Sequence, residues 1–129
     1  MNDTKQIQAL VASYQQAIHT QNEKEFKDLW SKEHQNILIS ITHQFTGIED
    51  IYQNFLIGGI QTNYTHIDLI AENIDVSFIH EDLAIVVFQY HTECIRRDTN
   101  EEYGIQGLET QVVVKENGEW KLTHIHYSK

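Results

Sequence analysis

Proline is absent from all 129 residues, cysteine occurs once, and 9 lysines and arginines face 19 aspartates and glutamates. Without proline there is no helix breaker of that kind and no polyproline linker. The lone Cys94 cannot form an internal disulfide, and with no Cys-x-x-Cys pair neither a zinc knuckle nor a dithiol site can be built. It reads as a small buried apolar residue on a strand. The net charge of -10 repels phosphate backbones and anionic lipid, and no basic cluster exceeds Arg96-Arg97, so no nucleic-acid and no membrane partner is expected. No apolar run is long enough to span a bilayer, and the basic-then-apolar start of a signal peptide is missing, which gives a cytoplasmic expectation.

What is present is ordinary globular material, 40% hydrophobic and 22% charged. At this length a single domain over residues 1–129 buries roughly two thirds of the unfolded chain's surface. From Asp3 to Ile18 the residues Ile7, Leu10, Val11, Tyr14 and Ile18 recur every three or four positions, an amphipathic helix with Asp3 or Thr4 as cap. Asn22, with Glu25 three residues on, resembles a capping box for a short second helix that carries Phe26, Leu29 and Trp30 and ends near Ser31. The β-branched run Ile37 to Ile41 predicts a strand. Beyond Gly47, helical spacing returns at Ile48, Ile51, Tyr52 and Phe55, with Gly58-Gly59 as the stop signal.

After Thr62 the pattern changes to period two. Strands are expected over Thr65 to Ile79, Asp82 to Arg97, Tyr103 to Glu116 and Glu119 to Ser128, the last pair joined by the Asn117-Gly118 hairpin signal. Helices followed by strands, rather than alternation, predict an α+β fold: three N-terminal helices packed on a curved, mostly antiparallel sheet. Both faces of these strands are apolar. Ala84, Val86, Phe88 and Tyr90 oppose Leu83, Ile85 and Val87, and Val112 and Val114 oppose Val113. Simple alternation puts Trp120 and Leu122 on one face of the last strand and Ile125 and Tyr127 on the other, leaving open which set faces inward. Helices can cover one sheet face, so the other predicts a homodimer through the outer face.

Among chemical constellations, His124-x-His126 has chelating spacing, with His91-x-Glu93 on another strand, but spacing supplies no third ligand, so no metal and no cofactor are expected. Glu93 and Glu109 lie mid-strand, where carboxylates are unusual, and are the acid/base candidates. Asp68 and Asp75 read as edge or solvent-facing residues. Phosphate loops, dinucleotide fingerprints and a local Ser-His-Asp signature are missing. The aromatic residues Tyr14, Phe26, Trp30, Tyr52, Phe55, Phe88, Tyr90 and Tyr127 converge between helices and sheet as core or as pocket lining.

In Glu81-Asp82-Leu83-Ala84, in Glu109-Thr110-Gln111-Val112, and above all in Gly118-Glu119-Trp120 through His124-Ile125-His126-Tyr127-Ser128, the chain resembles the nuclear transport factor two-like superfamily. Within it the chain is most similar to SnoaL-like domains and to the association (hub) domain of calcium/calmodulin-dependent protein kinase II. The resemblance implies a cone-like, cystatin-like roll with a pocket between helices and sheet, and dimerisation through the sheet. Positions matching the hub's pocket arginines are Tyr90, Gln111 and Tyr127, while a pocket tyrosine matches Phe26 and a pocket histidine matches Ile51. The implied pocket, completed by Tyr14, Trp30, Phe55 and Phe88, is aromatic and nearly neutral. It suits a small apolar or weakly polar ligand. A ketosteroid-isomerase mechanism lacks its early-strand base, because Ile37 to Ile41 carries no acid.

The leading expectation is therefore a dimeric small-molecule-binding domain without a catalytic set. The alternatives are an isomerase, cyclase or hydro-lyase on a carbonyl compound using Glu109 or a pocket histidine, and an oligomerisation module like the hub.

Overall fold

The computed structural model describes residues 2–129. Helix α1 (Asp3–Thr20) buries Ile7, Leu10, Val11, Tyr14 and Ile18 along one face, as the spacing predicts. Its cap lies one residue earlier than expected: Asn2 Oδ1 accepts the Lys5 N–H at 2.8 Å. Asp3 is thereby free to accept hydrogen bonds from Trp120 Nε1 at 3.0 Å and Lys115 Nζ at 3.1 Å, tying the helix start to the end of the sheet. Helix α2 (Glu23–Asp28) is capped by Asn22, whose Oδ1 accepts the Glu25 N–H at 3.0 Å. It stops at Asp28 because Leu29 to Ser31 turn into a parallel bridge with Leu122, formed by Leu122 N–H to Leu29 O and Ser31 N–H to Leu122 O.

Strands β1 (Ile37–Ile39) and β2 (Gln44–Thr46) form a short hairpin, in which β2 is additional to the expected strands. After Gly47, α3 (Ile48–Asp50) runs into a π-helix (Ile51–Gln61). Gly58 and Gly59 lie inside that helix and do not end it. A β-carbon on Gly58 would sit 3.2 Å from the Gln53 carbonyl oxygen, so the wide winding itself favours glycine there.

Four long strands follow, β3 (Tyr64–His80), β4 (Leu83–Arg96), β6 (Gln106–Glu116) and β7 (Glu119–Ser128), with the two-residue β5 (Glu102–Tyr103) beside β4. The sheet order is β2-β1-β7-β6-β4-β3, and among the strands of the described residues β1 and β7 pair in parallel while the other pairs are antiparallel. The fold is α+β, with helices laid on a curled, mostly antiparallel sheet. The Asn117-Gly118 turn has positive φ at both residues (51° and 79°), the geometry that makes this dipeptide a hairpin signal.

One irregularity corrects the reading of the last strand. Val113 pairs with Leu122 and Val112 with His124, so Thr123 is an extra residue in β7. This β-bulge reverses the alternation, and Trp120, Leu122, Ile125 and Tyr127 all face inward while His124 and His126 face outward. Strict period two would have divided these four residues between the faces.

Candidate functional site

A cavity of about 500 Å³ lies between the π-helix, the 40–43 turn and the inner face of β3 and β4. This is within the usual range of small-molecule sites, roughly 300–1,000 Å³. The sheet supplies Ile67 and Leu69 from β3, Tyr90, Thr92 and Cys94 from β4, and Tyr127 from β7. The helix supplies Phe55 and the bare backbone of Gly58 and Gly59, and Ser40, Ile41, Thr42 and His43 border the opening. Ile41, Thr42 and His43 are exposed, so the polar groups of this turn meet solvent while the deeper wall is mainly apolar. Cys94 lies in that wall, and burial pushes its thiol above the ordinary range, which keeps it protonated and poorly nucleophilic.

Tyr127 joins the cavity to a buried polar chain behind it. Its ring stacks on Phe55 with centroids 6.0 Å apart and meets the edge of Tyr90 at 5.3 Å. Its hydroxyl lies 2.5 Å from the Tyr14 hydroxyl, and its cross-strand partner is Glu109. Gln111 Nε2 donates to Glu109 Oε2 at 2.7 Å.

Glu109 has no solvent exposure. Desolvation lifts its carboxyl to a pKa of about 8, against the opposing hydrogen bonds of Gln111 and Tyr127. Burial, with the Glu109 carboxyl nearby, also holds the Tyr14 and Tyr127 hydroxyls well above the usual phenol range. At neutral pH the chain Tyr14–Tyr127–Glu109–Gln111 is therefore predominantly uncharged. Tyr90 donates separately to the Ser128 carbonyl at 3.0 Å, so its hydroxyl is also engaged by the protein.

Of the expected pocket residues, Phe55, Tyr90 and Tyr127 line the cavity. Tyr14, Phe26, Trp30, Ile51, Phe88 and Gln111 do not; all are at most 1% exposed and pack behind the wall in the core. The reason is depth. A shared apolar face places these side chains between the layers without setting how deep each lies, and Tyr14, for one, reaches the cavity only through the Tyr127 hydroxyl. Sequence reasoning did not pick out Ile67, Leu69, Thr92, Cys94 or the 40–43 turn. Thr92 and Cys94 had a legible signal, since they continue the inward parity of Phe88 and Tyr90, whereas the turn had none.

Glu93 lies on the outer side of β4, where its Oε2 is 3.1 Å from His91 Nε2. His124 and His126 are on β7, separated from His91 by all of β6, so these residues do not converge on one ion. Burial, with His126 beside it, lowers the pKa of His124.

Solved structures with this architecture are numerous. A nuclear transport factor 2-like superfamily protein from Salmonella enterica superposes with a TM-score of 0.90 at 22% identity, over 96% of this chain and 88% of its own. Hexachlorocyclohexane dehydrochlorinase LinA-type3 from Novosphingobium barchaimii gives 0.84 at 13% identity, over 96% and 84%. A Xanthomonas campestris protein named after the calcium/calmodulin dependent protein kinase II association domain gives 0.82 at 18%, over 99% and 88%. At these identities the likeness concerns the fold. No curated protein matches the chain. The family model for the SnoaL-like domain matches residues 7–129, nearly the whole length, and the chain therefore belongs to the SnoaL-like domain family.

Proposed function

We propose that this protein is a small-molecule-binding domain that takes a mainly apolar or weakly polar ligand in the cavity walled by Phe55, Leu69, Tyr90 and Tyr127. The supporting observation is a roomy cavity whose nearest buried acid stands protonated behind the wall. Such a site gains affinity from apolar burial, about 25 cal/mol per Å², and takes its polar specificity from the turn at the mouth. The reading includes a homodimer through the outer sheet face. There Ile85, Val87, Val112 and Val114 are only half-buried and Leu108 is 49% exposed.

Fluorescence titration with the neutral probe N-phenylnaphthylamine tests the cavity. We expect saturable binding, weakened at least about tenfold by Leu69→Trp, which fills the wall, with an unchanged circular dichroism spectrum. Binding indifferent to that substitution rules the cavity out as the site.

An isomerase, cyclase or hydro-lyase reading is favoured by the hydrogen bond between Tyr127 on the wall and Tyr14 behind it, and by the dehydrochlorinase among the structural neighbours. It needs a base that reaches the substrate. Glu109 is not on the cavity wall and is predominantly protonated at neutral pH, so we do not assign it that role. The hub-like reading differs in stoichiometry, since light scattering would give rings of more than two subunits.

A further inference from the structure

Along the edge strand β3, α1 sets two polar side chains one helical turn apart against strand carbonyls. Gln15 Nε2 donates to the Leu69 carbonyl at 3.0 Å, and His19 Nδ1 lies 3.0 Å from that of Ile67. The same His19 nitrogen is 2.9 Å from Asp68 Oδ1, and His66 Nε2 is 2.9 Å from Asp68 Oδ2. The two imidazoles meet edge to face with centroids 5.3 Å apart. One carboxylate is thus held between two histidines that come from different elements, 47 positions apart in the chain.

We propose that His19, His66 and Asp68 form a binding site for a first-row divalent cation of the zinc class. Two neutral imidazoles and a carboxylate are a borderline-soft donor set that such ions favour. One ligand atom from each residue already lies within 4.8 Å of the other two. An ion held at roughly 2.0–2.2 Å from each donor brings the donors about 3–4 Å apart, so small rotations of side chains complete the shell. All three are 42–46% exposed, which leaves room for those rotations and for water at the remaining coordination positions. No lysine or arginine competes for the carboxylate, as both ion pairs of Asp68 among the described residues are with these histidines. Glu93 is the register partner of Asp68 on β4, and together with the net charge of -10 it favours a cation here.

The second three-residue cluster, Glu33, His34 and Glu116, is a weaker candidate. Glu116 already accepts hydrogen bonds from the Ser31 hydroxyl and the Lys32 N–H. At the first site an ion would join the last turn of α1 to the edge strand. Ile18 and Ile67, the chain neighbours of the ligands, line the cavity on the other side.

Calorimetric titration of the full chain with Zn²⁺ at neutral pH, paired with visible absorption after Co²⁺ addition, tests the site. One ion per chain is expected, with Co²⁺ bands that Zn²⁺ displaces. Affinity should fall at least about tenfold in each of His19→Ala, His66→Ala and Asp68→Asn, and should be unchanged in the His124→Ala/His126→Ala double variant. The proposal is overturned if wild type binds no more tightly than His19→Ala/His66→Ala, or if binding disappears with His124 and His126.

Discussion

A carboxyl group held protonated at neutral pH by burial, as at Glu109, makes stability depend on pH in a direction opposite to that of a salt-bridged acid. Its folded pKa is about 8, above the ordinary carboxylic value of 4.5. Between those values the native state keeps a proton that the unfolded chain releases, so this group's contribution to stability falls as pH rises through the window and levels off above it. At one pKa unit per roughly 1.4 kcal/mol, the loss is on the order of 3–5 kcal/mol. Glu109→Gln keeps the shape and cannot ionise. Urea unfolding of the two proteins at pH values near the two ends of the window should show the variant gaining on wild type toward the alkaline end; a constant difference would mean that Glu109 is already ionised in the fold. None of this could be read from the residue's place in a strand, where alternation identifies an inward carboxylate but not what surrounds it.

At the scale of elements, close approaches decide which substitutions are tolerated. Gly107 on β6 has no left-handed backbone to protect, yet a β-carbon there would lie 2.0 Å from the Ser128 carbonyl oxygen. Gly107→Ala must therefore separate β6 from the end of β7, which carries Tyr127. A stability loss above about 2 kcal/mol is expected in chemical denaturation, together with weaker probe binding in the cavity. Local signals located most elements correctly: Asn22 as cap, the Asn117-Gly118 turn and the buried stripe of α1. They misplaced Gly58-Gly59 because a glycine pair has two meanings, a helix stop or a bare backbone in a crowded wall. They also misassigned half of β7, because a single bulged residue reverses parity without any marker in composition.

For the whole molecule, a net charge of -10 stands beside a sheet face that stays half apolar. Among the described residues no helix is long and apolar enough to cross a membrane. If a second copy covers the outer face, Val112→Lys on β6 places a charge in the seam and should convert a dimer to a monomer in sedimentation velocity, with the fold retained. A wild type that sediments as a monomer at micromolar concentration would refute the dimer. The variant leaves the cavity wall on the opposite face untouched, so probe binding serves as its control for folding.

By itself the sequence determined the α+β class, the order of helices before strands, and the two-faced apolar pattern of the sheet. Each of these follows from residues within about four positions of one another, the range over which helical and strand periods operate. The tertiary structure decided which aromatic rings stand at the cavity wall, the protonation of Glu109 and the meeting of His19 with His66 and Asp68. Those outcomes depend on strand register, a bulge and the packing of α1 along an edge. They arise between residues tens of positions apart, where no local period carries information.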